Sequence, residues 1–507
     1  MAVRVVSVEK YHMNKAKKFS FDRSILAVFL LCVVNIVIRL PFAALPAYED
    51  EINYFRGVAA IAQNHLNPFV EYWGYKPPGM MELPSALINI FGPSLVWGRI
   101  EMFFFSSLAL YFLYKLGKKV FPSRLTVFLP FLLFFYPLFT AQSNYFSDAM
   151  PFTALVLMTL YFYASENLRW YVLSASLLVL TKETGTFLPA AIFLFDVVMS
   201  WRPPISFQKP LMIRWIALLL PEFVFLVWIA VNKILFGWYL WPFNLGVFHP
   251  SMIFRSLYST DFVWYFYNFF VRDFSWIVFA LAFSGTVHLA ASRSAFGKKK
   301  VSFIYFFSSV IFLCWFVSFI GPYQDRYLLF LFPLGLLVFV ATLPLFVSRF
   351  RQQIAIVVIV CFGFVVSNLY RSLQTPNPWN NQSSFGYFRA IMAQKRAISA
   401  LSVDFPEAGF VVTDQTHFSH YFTDPLLGYI KKPFPLITAS CDRVSVSLLH
   451  DDFIRSFSFR PNELLYIAGP YQSVCPTLAR QEPVWKDCAD AYPYTDDCFK
   501  VYSITTP

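Results

Sequence analysis

The chain has 507 residues, of which 57% are apolar and only 14% charged. Soluble globular proteins carry about 25% charged residues, so the composition excludes that class, together with disordered, collagen-like and coiled-coil chains. The formal net charge of +12 does not point to nucleic acid, because most of the basic excess sits in short segments between apolar runs, the signature of membrane topology.

The first apolar run, about 24–45, follows Arg4, Lys10, Lys15, Lys17, Lys18 and Arg23. It exceeds the roughly 7–15 apolar residues of a cleaved signal peptide and reaches the ~20 needed to span a bilayer. It reads as a retained helix with its N-terminus in the cytoplasm. Further spans are expected near 95–115, 125–141, 149–165, 169–181, 186–200, 214–232, 274–291, 302–320, 327–346 and 353–370. Threaded in and out, they give one side Lys115, Lys118, Lys119, Arg124, Arg169, Arg202, Lys209, Arg214, Arg293, Lys298 to Lys300, Arg349 and Arg351. The other side receives few basic residues. The asymmetry fits about 11 spans under the positive-inside rule, with the C-terminus outside.

From about residue 372 the composition turns polar, as in Thr375-Pro376-Asn377-Pro378. Apolar runs such as Gly409 to Val412 and Glu463 to Ala468 look like buried strands, and 387–401 looks helical. The expected division is therefore 1–371, a membrane domain including an outer loop 46–94, and 372–507, a soluble extracytoplasmic α/β domain. Cys441, Cys475, Cys488 and Cys498 all fall in this tail and suggest up to two disulfides. Cys32, Cys314 and Cys361 lie inside spans and read as packing residues. His417 and His420 have a spacing that suits a metal on a helix, but no further ligand pattern accompanies them. Asn381-Gln382-Ser383 matches a glycosylation sequon by pattern only.

The outer loops hold the charged sites. Asp50, Glu51 and Tyr54 follow the first span; Lys76-Pro77-Pro78-Gly79 and Phe91-Gly92 come later in the same loop, and Arg99 opens the next span. Asp148 stands before Pro151 at an outer span end, Thr181-Lys182-Glu183-Thr184-Gly185 at another, and Gln324-Asp325-Arg326-Tyr327 at a fourth. On the expected topology all face one side. Each charge alone is cheap at a span end, but their gathering suggests a shared polar cavity, where ionisable groups are functional by default.

In this order the motifs resemble the opening and later signatures of the C-type (GT-C) membrane glycosyltransferases of the protein O-mannosyltransferase and aminoarabinose–lipid A transferase kind. The resemblance covers about residues 20–350. Glu183 departs from the family, which often has Gly there, and the chain has no room for the large luminal insert of the true mannosyltransferases. The resemblance implies a GT-C fold and an inverting transfer of a sugar from a polyprenyl (undecaprenyl or dolichyl) phosphate to a hydroxyl of an envelope lipid, glycan or protein on the outer membrane face. A bacterial inner membrane is the expected setting, with membrane lipids as neighbours and no nucleic acid partner. Cations stabilise the departing phosphate, and a carboxylate deprotonates the acceptor. Asp50 and Glu51 are the catalytic candidates, with Asp50 as base and Glu51 binding the acceptor or supporting Lys76. Lys76, Lys182, Arg326 and Arg99 are expected on the donor phosphate; Asp148, Tyr54, Glu183 and Tyr327 on substrate. No cofactor is required by this chemistry, no metal ligand is assigned, and a divalent ion between adjacent acids stays open. The sequence holds no G-x-x-x-x-G-K-[ST] or G-x-G-x-x-G loop, which argues against a nucleotide-driven mechanism. The competing readings are a secondary transporter, which normally shows internal repeats and midplane charges, and a non-catalytic membrane receptor, which leaves the acid-and-lysine pattern without a role.

Overall fold

The computed structural model describes residues 23–48, 50–70, 76–200, 209–240, 263, 265–291, 298–317, 324–373, 386–404, 409–412, 424–431, 436–438, 464–468, 485–487 and 499–503. Among these residues seven helices are long and apolar enough to cross a membrane: Ser24–Phe42, Val96–Val120, Glu183–Ser200, Leu211–Phe236, Tyr267–Ala291, Lys300–Val317 and Phe350–Ser372. Four shorter apolar helices, Arg124–Phe135, Ala149–Ala164, Leu168–Thr181 and Leu331–Phe346, occupy the other expected positions. The protein is a polytopic helical membrane protein.

The short helices have physical causes. At Pro137 the preceding residue, Tyr136, is driven into an extended conformation (φ −65°, ψ 125°), as the ring of a following proline dictates. The expected span 125–141 is therefore broken into two helices. Ala149–Ala164 and Leu331–Phe346 are buried along most of their length. A helix surrounded by other helices need not match the ~30 Å hydrocarbon thickness on its own.

In chain order the helices are α1 (Arg23–Val37), α2 (Glu51–Gln63), α3 (Glu82–Phe91), α4 (Val96–Val120), α5 (Leu129–Phe135), α6 (Pro137–Gln142), α7 (Ala149–Ala164), α8 (Leu168–Thr181), α9 (Phe187–Ser200), α10 (Lys209–Phe236), α11 (Ser275–Ala291), α12 (Lys298–Val317), α13 (Leu331–Phe346), α14 (Phe350–Leu373) and α15 (Gly386–Asp404). α4 packs along α7 and α1, α8 lies against α7 and α10, and α13 runs between α11 and α12. The expected structured loop 46–94 contains α2 and α3, joined through a 3-10 turn at Pro78–Met80.

The expected tail strands and helix are present. Among the described residues the sheet has five strands, β1 (Gly409–Val412), β2 (Leu436–Thr438), β3 (Leu464–Ala468), β4 (Trp485–Asp487) and β5 (Phe499–Ser503), in the order β2-β1-β3-β5-β4. β2, β1 and β3 are parallel, and β5 runs antiparallel to both β3 and β4. α15 buries Ile391, Ala397, Ile398 and Leu401, an apolar stripe at helical spacing. Its Ile391 and Phe388 pack with Tyr48, Ala141 and Tyr145 of the membrane part. Ala47 donates its backbone N–H to Leu427 in the tail at 2.9 Å. Cys441, Cys475, Cys488, Cys498, His417, His420 and Asn381 lie outside the described residues.

Candidate active site

The candidate residues all sit at helix ends, where backbone groups lack intrahelical partners and polar side chains are tolerated. Asp50 is the residue before α2, Asp148 the residue before α7, and Lys182 the residue after α8. Glu183 opens a 3-10 turn into α9, and Arg326 and Tyr327 lie in a 3-10 turn, Asp325–Leu328, ahead of α13. Lys76 precedes the Pro78–Met80 turn.

Two glycines let these ends meet. A Cβ on Gly79 would stand 2.7 Å from the carbonyl oxygen of Leu180, and one on Gly185 would stand 2.5 Å from that of Leu178. Real Cβ atoms do not approach backbone so closely. The Lys76 segment therefore lies on the last turn of α8, beside Lys182, and the chain after Lys182 folds back on α8 as well.

The result is one continuous charged cluster. Lys76 Nζ donates to Asp148 Oδ2 at 2.8 Å and to the Tyr54 hydroxyl at 2.7 Å, and it lies 4.8 Å from the Tyr54 ring centre. Lys182 Nζ donates to Asp148 Oδ1 at 3.4 Å and stands 4.0 Å over the Tyr327 ring. The Arg326 guanidinium is 5.3 Å from the same ring and 5.9 Å from that of Tyr145; these are cation–π distances. Arg326 pairs in turn with Asp50. Asp148 is fully buried. Burial works against its charge, but Lys182 and Lys76 outweigh it and hold the carboxyl well below the ordinary aspartate range. For Lys76 burial again opposes the charge, and Asp148, then Tyr54, hold the ammonium well above the ordinary lysine value.

Glu51 and Arg99 form a separate unit. Arg99 donates Nε to Glu51 Oε1 at 3.0 Å and Nη2 to Oε2 at 2.7 Å, a bidentate fork. Its other donors reach the carbonyls of Phe42, Ala43, Leu45 and Pro46. Glu51 also accepts from the backbone N–H of Tyr48 and of Phe146. Both side chains are shut off from solvent, at 0% and 1% exposure, whereas Asp50 keeps 30%. The expectation that Glu51 supports Lys76 is corrected: it holds Arg99. The pair fastens the loop after α1 to α4 and to the segment before α7, and the geometry does not aim Arg99 at the space around Lys76.

Sequence reasoning missed a second polar unit beside the cluster. Arg272 binds Asp325 and Asn268, and Asp273 accepts from Ser367 Oγ at 2.5 Å and from Arg371 Nη1 at 2.7 Å. Asp273 and Phe274 both have φ of +60°, a strained conformation for non-glycine residues that these bonds maintain. The available signal was an Arg-Asp pair set among phenylalanines at 269–274. Among the described residues no group of three or more His, Cys, Asp or Glu side chains is arranged to hold a metal ion.

Comparison with solved structures gives the architecture a reference. ArnT from Cupriavidus metallidurans in the apo state superposes with a TM-score of 0.55 at 12% identity, covering 94% of this chain and 97% of that one. The fold is that of ArnT. The same enzyme bound to undecaprenyl phosphate superposes with a TM-score of 0.52 at 13% identity, over 95% of this chain and 98% of ArnT. The ArnT likeness matches the GT-C fold that the motifs resemble, and it spans the tail as well as the helices. No protein-family model matches the chain, and no curated protein matches it by sequence.

Proposed function

We propose that the chain is an inverting glycosyltransferase that takes a sugar from a polyprenyl phosphate and joins it to a hydroxyl of an envelope lipid, glycan or protein outside the cytoplasm. The observation that carries this reading is the convergence of Lys76, Lys182 and Arg326 from three separate helix ends onto one cluster. The undecaprenyl phosphate bound to ArnT supports a prenyl phosphate as the ligand. In this reading residues 1–371 carry the chemistry, residues 372–507 form an extracytoplasmic domain, and the membrane is a bacterial inner membrane with the N-terminus in the cytoplasm.

The donor phosphate rests on Lys76, Lys182 and Arg326. The acceptor oxygen attacks the anomeric carbon, the bond from that carbon to the phosphate oxygen breaks, and the electron pair leaves with the prenyl phosphate. The cations stabilise that charge in a site of low polarity, where such stabilisation is large. Asp50 takes the acceptor proton. Asp50 pairs with Arg326, and in this reading Arg326 turns to the donor phosphate while the Asp50 carboxylate turns to the acceptor hydroxyl as base. Asp148 sets the spacing of the two lysines, and Tyr54 and Tyr327 support the cations from below. Glu51 and Arg99 hold the Asp50 loop in place without touching substrate. The chemistry requires no cofactor.

The test is binding of undecaprenyl phosphate to the purified full chain in lipid nanodiscs, followed by transfer from radiolabelled prenyl-phosphate sugars to membrane extracts. We expect Lys76→Ala to weaken undecaprenyl phosphate by at least about tenfold, and Asp50→Asn to leave binding intact while transfer falls about 10²–10⁴-fold. A wild-type chain indifferent to undecaprenyl phosphate overturns the reading.

A further inference from the structure

Among the described residues, Asp50, Glu51, Asp148 and Glu183 are the carboxylates at the helix ends that form the cluster and its Arg99 anchor, and three of these four are engaged by cations. Asp148 is engaged by Lys76 and Lys182, Asp50 by Arg326, and Glu51 by Arg99 and two backbone N–H groups. Glu183 differs. Burial, Lys76, Lys182 and Asp148 set its electrostatic surroundings, and its carboxylate accepts from its own backbone N–H; among the described residues no side chain donates to it. Its position is fixed by the chain: it follows Lys182 directly, in the turn that Gly185 lets fold back onto Leu178.

From this placement, and resting on the donor reading above, we infer that Glu183 recognises the donor's sugar, accepting hydrogen bonds from ring hydroxyls while the neighbouring lysines hold the phosphate. A sugar is joined directly to that phosphate, so its ring lies within reach of a group one residue away from Lys182. An ionised carboxylate only accepts, and sugar hydroxyls are donors that match it with charge-assisted strength. Lys76 and Lys182 offset its repulsion of the phosphate. They also make the surroundings unfavourable to an ammonium group, so the class is a neutral, hydroxylated sugar rather than an amino sugar. The specificity this gives has a clear physical basis: a sugar lacking the paired hydroxyl leaves the carboxylate desolvated and without a donor.

The experiment separates sugar from phosphate. Dissociation constants are measured for the full chain in nanodiscs with undecaprenyl phosphate and with undecaprenyl phosphate carrying glucose, mannose, xylose or glucosamine. In wild type, the best neutral sugar donor binds more tightly than the bare carrier. In Glu183→Gln, bare undecaprenyl phosphate binds within twofold of wild type, while that donor weakens about tenfold (~1.4 kcal/mol). Glu183→Asp, which withdraws the carboxylate by one methylene, falls between the two. Loss of bare-carrier binding in Glu183→Gln overturns the inference, since Glu183 then acts through the lysines. Equal binding of the sugar donor by both proteins overturns it too, and tightest binding of the glucosamine donor overturns the neutral-sugar class. Should the variants fail to fold, deoxy-sugar donors with wild type decide the matter: one of them must bind about tenfold more weakly than its parent, and uniform binding sinks the inference. Absence of any undecaprenyl phosphate binding by wild type is a different failure, that of the donor reading.

Discussion

Asp148 bridges two ammonium groups, and its removal has a calculable direction. In Asp148→Asn, Lys76 and Lys182 face each other with little compensation. Breaking a buried pair costs about 3–5 kcal/mol, and the cost here is lower, about 2–3 kcal/mol, because Lys76 keeps 23% and Lys182 13% of their side chains exposed. A fall in thermal midpoint of the purified variant checks this, and an unchanged midpoint contradicts the bridging role. The pH dependence follows from the signs. The folded Asp148 carboxyl titrates below its unfolded value, so its stabilisation is present above the unfolded value of ~4 and is lost as pH falls from there towards the depressed folded value. Lys76 is shifted up, so its contribution is present below ~10.4 and is lost only as pH rises through its higher folded value. Asp148 and Lys76 therefore add no slope between about pH 5 and 9. Lys182, which burial shifts down, adds a rise in stability as pH climbs through its folded value towards ~10.4. Acid unfolding below about pH 4 should be shallower in Asp148→Asn than in wild type. Equal acid slopes in the two proteins contradict these signs. At this scale the sequence is partly readable. Asp50 and Glu51 are adjacent and chemically alike; successive residues of a helix point in different directions, about 100° apart, and the two meet different partners, Arg326 and Arg99. Which arginine each meets depends on partners 276 and 48 positions away, and no local pattern contains that.

At the scale of elements, the site exists because loop, helix end and turn can touch without side chains between them. Gly79 is the clearest case. Alanine there must displace the Leu180 carbonyl or lift the Lys76 segment away from α8. Overpacking of this kind costs about 1–3 kcal/mol, and here the relief moves Lys76 from Asp148. Gly79→Ala should thus weaken undecaprenyl phosphate binding several-fold in a chain that still folds. Binding equal to wild type argues against the contact between this segment and α8. The spans show the same division between what is local and what is not. Among the described residues hydropathy locates the seven long and four shorter apolar helices, because lipid or a protein interior equally demands apolar side chains. It does not say which helices are short and enclosed, as α7 and α13 are, because that depends on neighbours. The expected span 125–141 is divided at Pro137, where the ring of the proline sets the residue before it extended. Arg272 escaped notice because its bonds to Asp325 and Asn268 arise where the strained turn at Asp273 meets the turn before α13, a juxtaposition set by packing.

At the scale of the whole molecule, the tail is seated on the scaffold of the site. Ile391 and Phe388 of α15 pack with Tyr48 and Tyr145, and Phe388 also meets Phe42, with ring centres 4.6 Å apart. The Tyr145 hydroxyl donates to the carbonyl of Tyr48 at 3.0 Å, and the Tyr48 N–H donates to Glu51. The Tyr145 ring meanwhile faces Arg326. A displacement of α15 therefore has a packed route to both the Asp50 loop and Arg326. Ile391→Ala removes buried methyl groups from this seat, at a cost of about 2–5 kcal/mol, and should lower undecaprenyl phosphate affinity although residue 391 is itself apolar and carries none of the charge. Tyr145→Phe keeps the ring and loses one hydrogen bond, worth about 1 kcal/mol, and should preserve affinity. Tyr145→Leu loses the ring and should reduce it. A double-mutant cycle distinguishes positioning from general destabilisation. If Tyr145 acts by holding Arg326, then Tyr145→Leu adds little in a chain that already carries Arg326→Ala, because the group it positions has gone. Independent sites give additive losses instead, and additivity here would reduce the tail's seat to a contribution to folding alone.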